Sequence, residues 1–313
     1  MSSPTLSEVV AEHAEEAAFL WLQRTHAVHA PNYDPAQFAD LDERLAAHLD
    51  GLRVAGDEGW KCAEQALDNG GAEDFFPAAI LALEAGDGRF DDMLKRAEQL
   101  PQAVRGLVSA CGWVEPAQLG SRVGAWLEGG TPLMRKLGIA ACALHRRDPG
   151  AALDAAIAQG ADSVRIRALR AAGELGRVDL LAPARALVGE AKPELRFWSA
   201  WAAVLLGDRS HGLAAMRAFA LEPGPRQMKA LQLSLMAMDA EAGHALLAAC
   251  ASLPGAARLR IIGAGLVGDA RYAPWLIEQM AGPATARIAA EAFVNITGLD
   301  FNLEQMEVPT PDR

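Results

Sequence analysis

The sequence predicts an all-α protein: a right-handed α-solenoid of helix pairs preceded by an N-terminal helical cap. Basic residues recur every 29–33 positions, each opens a segment rich in alanine and other small residues, and only 6% of the 313 residues are aromatic. A period near 30 residues, built of helix, turn and helix, is typical of solenoids, whose neighbouring pairs stack into one core. A β-sandwich or barrel would need more aromatic and β-branched residues.

The N-terminal cap is predicted to cover residues 1–71 and to contain three helices. Thr5 and Glu8 have the spacing of a capping box, and apolar residues then follow at three- and four-residue steps. The predicted helices run over about residues 5–29, 38–52 and 60–67.

The repeat region is predicted to cover residues 72–303, and residues 304–313 are predicted to be a tail. We call the helices that the recurring basic residues open the ladder helices. These residues are Arg105, Arg135, Arg165, Arg196, Lys229, Arg258 and Arg287. Several ladder helices are predicted to end in a glycine turn, at Gly176, Gly207-Asp208 and Gly268-Asp269, and a second apolar helix follows each.

The pattern of arginine, small residues and Leu-Gly-Asp resembles HEAT repeats of the short, lyase-like kind. Three stretches, 19–24, 41–56 and 292–298, resemble a proteobacterial HEAT-like family encoded beside type VI secretion spike genes. The resemblance covers nearly the whole chain, and 41–56 carries most of its specificity. It brings no catalytic motif, and it implies an accessory or immunity protein of a contact-dependent toxin system.

One motif imitates a nucleotide-binding site. Gly263-Ala-Gly265-Leu-Val-Gly268 matches G-x-G-x-x-G, which in a dinucleotide-binding fold follows a strand and opens a helix. Here Gly268 falls in register with Gly176, where the repeat predicts the end of a helix. We therefore expect a helix ending and no bound cofactor.

The histidines suggest no metal or catalytic site. His26 and His29 lie one helical turn apart, but two ligands do not make a metal centre. His48 lies near charged residues at spacings that are ordinary for solvated helix pairs, and no nucleophile accompanies it. We expect neither a catalytic residue nor a metal ligand, and the protein is predicted not to be an enzyme.

Two sets of residues allow both a structural and a binding role. The ladder arginines are expected to tether helix pairs through acidic or carbonyl groups, with Asp162 and Glu194 available as partners, although they could also line a surface for an acidic ligand. Trp198 and Trp201 share one helix face beside Phe197, as part of the core or as an interface anchor.

Composition narrows the class of function. Forty acidic and 29 basic residues give a net charge of −11, which disfavours nucleic-acid binding, because phosphates require clustered cations. No secretory signal or membrane-spanning run is apparent, so no membrane partner is expected. The four cysteines lie in apolar helical segments, which predicts reduced, buried thiols and a cytoplasmic location.

These observations favour a non-enzymatic protein that binds another protein on a concave, acidic face. With the resemblance, the specific hypothesis is an immunity protein that inhibits a cognate toxin, such as a nuclease with a basic active face. The predicted contacts are Glu174, Trp198, Trp201, Asp208, Asp239 and Glu241. Reversing Glu174, Asp208 and Asp239 to lysine is expected to weaken binding and leave the fold intact.

Two other functions remain open. An adaptor that loads an effector onto the secretion spike would fit the same gene context and would give no protection from toxicity. A chromophore lyase or a DNA glycosylase would fit the repeat architecture. The glycosylase needs a basic groove, which the net charge disfavours, and no sequence feature beyond the repeat supports the lyase.

Overall fold

The computed structural model describes residues 6–30 and 33–299, and within these ranges the secondary structure is entirely helical. The all-α prediction is confirmed. The predicted capping residue Thr5 and the predicted tail lie outside the described residues. The helices form two compact units, and the chain passes from the first to the second between Gly176 and Arg177.

The first unit contains the predicted cap helices and the first ladder helices. Its α-helices are α1 (Leu6–Ala27), α2 (Pro35–Val54), α3 (Asp57–Ala66), α4 (Ala72–Ala85), α5 (Arg89–Glu98), α6 (Val104–Trp113), α7 (Pro116–Leu119), α8 (Arg122–Gly129), α9 (Pro132–Leu144), α10 (Ala151–Gln159) and α11 (Asp162–Leu175). Short 3-10 turns lie at Leu67–Asn69 and Pro101–Ala103.

Local chemistry explains where these helices begin and end. Asp34 caps α2 by accepting from the backbone N–H of Gln37, whose side chain accepts in return from the Asp34 N–H. Glycines in the left-handed conformation follow α4 and α11, at Gly86 and Gly176. Such glycines end helices because they lack the Cβ that makes positive φ unfavourable.

Helix α1 packs against α2, α3 and α4. From there, α4 contacts α6, α6 contacts α9, and α9 contacts α11, so the ladder helices lie against one another. The core holds two stacked aromatic pairs, Trp21 with Phe76 and Phe90 with Trp126, at ring-centroid distances of 5.6 and 5.5 Å. Helices of 8–14 residues would be marginally stable alone, and they are stabilised here because each buries an apolar face against a neighbouring helix.

The second unit repeats the same packing order. Its α-helices are α12 (Leu181–Ala186), α13 (Pro193–Leu205), α14 (His211–Leu221), α15 (Gln227–Ala237), α16 (Ala240–Ala249), α17 (Ala256–Val267), α18 (Ala273–Met280) and α19 (Ala286–Thr297), with 3-10 turns at Val178–Leu180, Cys250–Ser252 and Ala270–Tyr272. Ladder helices α13, α15, α17 and α19 each contact the next, and α14, α16 and α18 connect them along the chain.

The nucleotide-motif glycines form a helix ending, as the repeat register predicts. Gly263 and Gly265 lie within α17, and Gly268 ends this helix with a φ of +73°. A Cβ on Gly265 would lie 3.0 Å from the Cα of Ala292 on α19. The glycine there permits close contact between two helices.

The ladder arginines do not share one role. Arg165 is a tether, because its Nε donates to the Ile157 carbonyl at 3.0 Å and joins α11 to α10. Arg105 and Arg196 lie over aromatic rings, of Trp21 and Phe219 respectively. The exposed Arg258 and Arg287 show no ion pair or hydrogen bond to any residue that the structure describes.

Polar bridges between helices recur at sequence separations close to the predicted repeat length. Arg53 binds Glu84 through two hydrogen bonds of 2.8 and 2.7 Å, across 31 residues. Glu194, expected as a partner for Arg196, instead accepts from the Nε of Arg226, 32 residues later, at 3.0 Å. The first bridge joins α2 to α4, and the second joins α13 to the residue before α15.

The cysteine prediction is confirmed in part. All four cysteines are free thiols; Cys111, Cys142 and Cys250 are buried, and Cys62 is partly exposed. Burial raises the pKa of Cys111 to about 12, so this thiol stays protonated and unreactive at neutral pH.

We expect Arg165→Ala to lower the free energy of unfolding by roughly 1–3 kcal/mol, because a partly buried carbonyl loses its charged donor. Arg258→Ala is the matched control, since that guanidinium is exposed, and its effect should stay within about 0.5 kcal/mol. Urea unfolding measures both. Equal losses in the two variants would contradict the tether.

Gly106→Ala should destabilise the first unit by about 1–3 kcal/mol, because the added Cβ would lie 2.1 Å from the Ala72 carbonyl oxygen and force α6 away from α4. Gly124→Ala is the control, because a Cβ there meets no atom within 4 Å. Alanine is the better helix former, so this variant should gain up to about 1 kcal/mol. Thermal unfolding that ranks the two variants the other way would refute close packing at Gly106.

Candidate partner-binding face

Helix α13 places the predicted tryptophans in different environments. Phe197 is fully buried, and its ring packs edge-on against Phe219 at 5.2 Å. Trp198 is buried with only 5% of its surface exposed, and it contacts Trp201 at a centroid distance of 5.4 Å. Trp201 is partly exposed. Trp198 therefore belongs mainly to the core, and Trp201 is the tryptophan that a partner can reach.

Cationic side chains surround this aromatic cluster. The Arg226 guanidinium lies 5.3 Å from the Phe197 ring centroid and 5.2 Å from that of Trp198, while its Nε donates to Glu194. The Lys229 ammonium lies 5.9 Å from the Trp198 ring. Cations at these distances are attracted to the ring faces, so the rim of the cluster is basic.

The structure corrects the role expected for Asp208. This residue is 2% exposed, so it does not form part of an acidic surface. Its carboxylate accepts from the Arg185 Nε at 3.0 Å, from the Ser210 backbone and hydroxyl, and from the Gly212 backbone. Burial alone would raise the pKa of Asp208, but these hydrogen bonds and the charge of Arg185 outweigh it and hold the pKa at about 2.

The acids after α15 remain exposed. Asp239 caps α16 by accepting from the Ala242 N–H at 2.8 Å. Glu241 pairs with Arg271 at 3.2 Å while its side chain stays 82% exposed. Of the predicted acidic contacts in the second unit, Glu241 is the one that a partner can engage without loss of a helix cap.

Glu174 belongs to the first unit and bridges two arginines of its own helix. It accepts from Arg167 at 2.9 Å and from Arg170 at 2.7 Å. Arg167 is buried, and Glu174 is its main source of negative charge. Lysine reversal at Glu174, Asp208 and Asp239 would therefore remove a buried ion pair, a buried hydrogen-bond network and a helix cap. We therefore expect this triple variant to lose stability, contrary to the expectation drawn from the sequence.

The acidic net charge does not extend to the ladder helices of the second unit. Helices α13, α15 and α17 together contain four basic side chains and one acidic one. Three acids, Asp208, Asp239 and Asp269, lie at turns, where their carboxylates accept from N–H groups near the start of the next helix. In α13, α15 and α17 basic side chains thus outnumber acidic ones, and the aromatic side chains of these three helices all lie on α13.

Sequence reasoning missed a polar chain between α16 and the turn before α18. His244 binds the Tyr272 hydroxyl through Nδ1 at 2.7 Å and the Asp269 carboxylate through Nε2 at 3.1 Å. The backbone N–H of Arg271 is the main group that lowers the pKa of Asp269, and burial raises the pKa of Tyr272. The arrangement orients the phenol and joins α16 to the turn before α18. Asp269 and Tyr272 lie 25 and 28 residues after His244, so no local sequence motif indicates the contact.

A second histidine contact joins α1 to α2. The Nδ1 atoms of His13 and His48 lie 3.1 Å apart, so one of them donates to the other. Burial, the neighbouring His13 and Arg44 lower the pKa of His48, against the opposing effect of Glu16 and Glu12. Among the described residues, no three His, Cys, Asp or Glu side chains lie close enough to hold a metal ion.

A shallow groove of about 350 Å³ lies in the first unit, where α6, α9 and α11 begin. Its lining includes Val104, Leu133, Ser163 and Lys136. Burial lowers the pKa of Lys136, and the charge of Arg167 lowers it further. The groove combines an apolar wall with one amine.

No family model matches this chain, and no curated protein is significantly similar to it in sequence. Within residues 6–30 and 33–299, no helix is both long and apolar enough to cross a bilayer.

The stabilising effect of Asp208 should depend on pH. Its folded pKa of about 2 lies below the unfolded value of about 3.9, so its contribution of about 2–3 kcal/mol is present above pH 4 and is lost as pH falls towards 2. Asp208→Asn should therefore be less stable than the parent at pH 7, and this difference should shrink between about pH 4 and 2.

Asp239→Asn is the control, because asparagine caps helices as well as aspartate, so stability should change by less than about 0.5 kcal/mol. Denaturant unfolding at several pH values measures both variants. A difference between Asp208→Asn and the parent that stays constant down to pH 2 would disprove the assignment.

Proposed function

We propose that this chain is a non-enzymatic protein-binding protein, built of HEAT-like helix pairs stacked as a right-handed solenoid. The binding face consists of the outward surfaces of α13, α15 and α17. The observation that carries the proposal is the partly exposed Trp201, which packs edge-on against the buried Trp198, itself covered by Arg226.

This cluster has the composition of an interface hot spot. Tryptophan and arginine are enriched among the residues that contribute most to protein–protein binding, and they are most effective when neighbours hold them rigidly. Trp201 meets both conditions, because the Trp198 ring supports it at 5.4 Å. An aromatic side chain held in one orientation loses little conformational entropy when a partner covers it.

The specific function that we propose is immunity in the cytoplasm: the protein binds the catalytic domain of a cognate type VI secretion toxin and inhibits it without changing it chemically. The resemblance of residues 41–56 to a family encoded beside spike genes supports this context. The net charge of −11 would accelerate encounter with a basic nuclease domain over distances of about a Debye length, 10 Å at 0.1 M salt. The charge of the whole chain would thus affect the rate of association, whereas contact through Trp201 would contribute to the stability of the complex.

Co-expression with the effector encoded by the adjacent gene tests this function. Cells should survive effector induction only when this protein is present, and the two chains should elute together from gel filtration. Trp201→Ala should abolish the complex or weaken it by at least about tenfold, the loss typical of a hot-spot residue.

Trp275→Ala is the matched control, because Trp275 is also partly buried beside an arginine, Arg260 at 4.9 Å, but lies on α18 outside the proposed face. Circular dichroism confirms that both variants fold. If the cells die at the same rate with and without the protein, immunity is wrong. If a complex nevertheless forms and effector delivery falls on deletion, the protein is an adaptor.

A further inference from the structure

Three exposed aliphatic side chains occupy equivalent positions on consecutive ladder helices of the second unit. Leu205 is 42% exposed at the end of α13, Met236 is 74% exposed near the end of α15, and Leu266 is 37% exposed near the end of α17. They are 31 and 30 residues apart. We call these three residues the apolar row.

The row is not a random scatter of surface hydrophobics. Single exposed apolar residues are ordinary, whereas contiguous ones mark interaction sites. Here α13 contacts α15 and α15 contacts α17, so the row crosses three neighbouring helices. Trp201 lies one turn before Leu205 on α13 and extends the apolar surface towards the aromatic cluster.

A basic line runs beside the row on the same helices. Lys229 lies seven residues before Met236, and Arg258 lies eight residues before Leu266, which places each about two helical turns, or 11 Å, from the row. Both side chains are exposed, and α15 and α17 contain no acidic residue. An occupant that covers the row therefore meets positive charge along one flank.

The pitch of the row indicates the secondary structure of the occupant. Packed helices lie about 8–10 Å apart, so successive row residues are separated by about that distance. Seven residues of an α-helix rise about 10.5 Å, which places an apolar side chain over each row residue in turn. A β-strand repeats its faces every 6.6–6.8 Å and falls out of register at the second helix.

We propose that the apolar row binds an amphipathic α-helix of a partner protein, with an apolar residue at every seventh position and acidic residues along the flank that faces Lys229 and Arg258. A helix with its side chains is about 10–12 Å wide, so glutamates on its flank can reach the basic line while its apolar residues cover the row. This inference rests on one part of the proposed function, namely that the protein binds another protein.

Synthetic peptides test the inference without any effector. Three labelled peptides of about 21 residues, or three heptads, are compared by fluorescence anisotropy. The first has leucine at the heptad a and d positions and glutamate on the flanks, the second has lysine in place of glutamate, and the third has the first composition in scrambled order. The first should bind at least about tenfold more tightly than the others, equivalent to about 1.4 kcal/mol.

Variants then locate the site. The double variant Met236→Glu/Leu266→Glu should weaken binding of the acidic peptide by at least about tenfold. Ile277→Glu is the matched control, because Ile277 is 56% exposed and lies on α18, outside the ladder helices. This variant should bind the acidic peptide as tightly as the parent protein does. Lys229→Glu/Arg258→Glu should remove the preference for the acidic peptide over the basic one.

Several outcomes would overturn the inference. Equal binding of the acidic, basic and scrambled peptides, or an equal loss in Ile277→Glu, would show that the row is not a specific site. If the parent is a dimer on gel filtration and Met236→Glu/Leu266→Glu is a monomer, the occupant is a second copy of this chain. If no peptide binds but the protein still protects cells in the co-expression trial, this binding mode is rejected and immunity is not. If the acidic peptide binds but the protein gives no protection, immunity is rejected and the binding mode is not.

Discussion

Close contact between ladder helices is the constraint on which the rest of the structure depends. Helices of 8–14 residues are marginal alone, and burying one face against the next helix stabilises them. The contact requires small residues where backbones approach: Gly106 lies against the Ala72 carbonyl, and Gly265 lies against the Cα of Ala292. An alanine-rich chain with few aromatics suits this packing, because small side chains let many helices share one core.

The same packing determines what the charged residues do. At some turns a carboxylate accepts from an N–H group that begins the next helix, as at Asp239 and Asp269. Longer side chains reach residues of other helices, as Arg226 does when it binds Glu194 and lies over the ring of Trp198. Many acids are therefore used within the chain, and the surface available to a partner differs in character from the net charge of −11.

A protein can in this way be acidic overall and still offer a basic and apolar face. Long-range attraction depends on total charge, whereas contact depends on the few side chains that a partner covers. In the binding mode that we propose, those side chains are Trp201, Met236, Lys229 and Arg258 on α13, α15 and α17. The proposal thus assigns steering and recognition to different parts of the same chain.

The sequence alone determined the helical class, the approximate positions of the cap and ladder helices and the turn glycines, since periodicity and positive-φ glycines are local. It also showed that Gly263-Ala-Gly265-Leu-Val-Gly268 ends a helix. Only the tertiary structure decided that Asp208 is buried, that Trp198 is in the core while Trp201 is partly exposed, and that the chain divides into two units after residue 176. The reason is physical: burial and ion pairing are set by partners some 20–30 positions away, such as Arg185 for Asp208 and Arg226 for Trp198, and local spacing does not reveal which side chain will reach which.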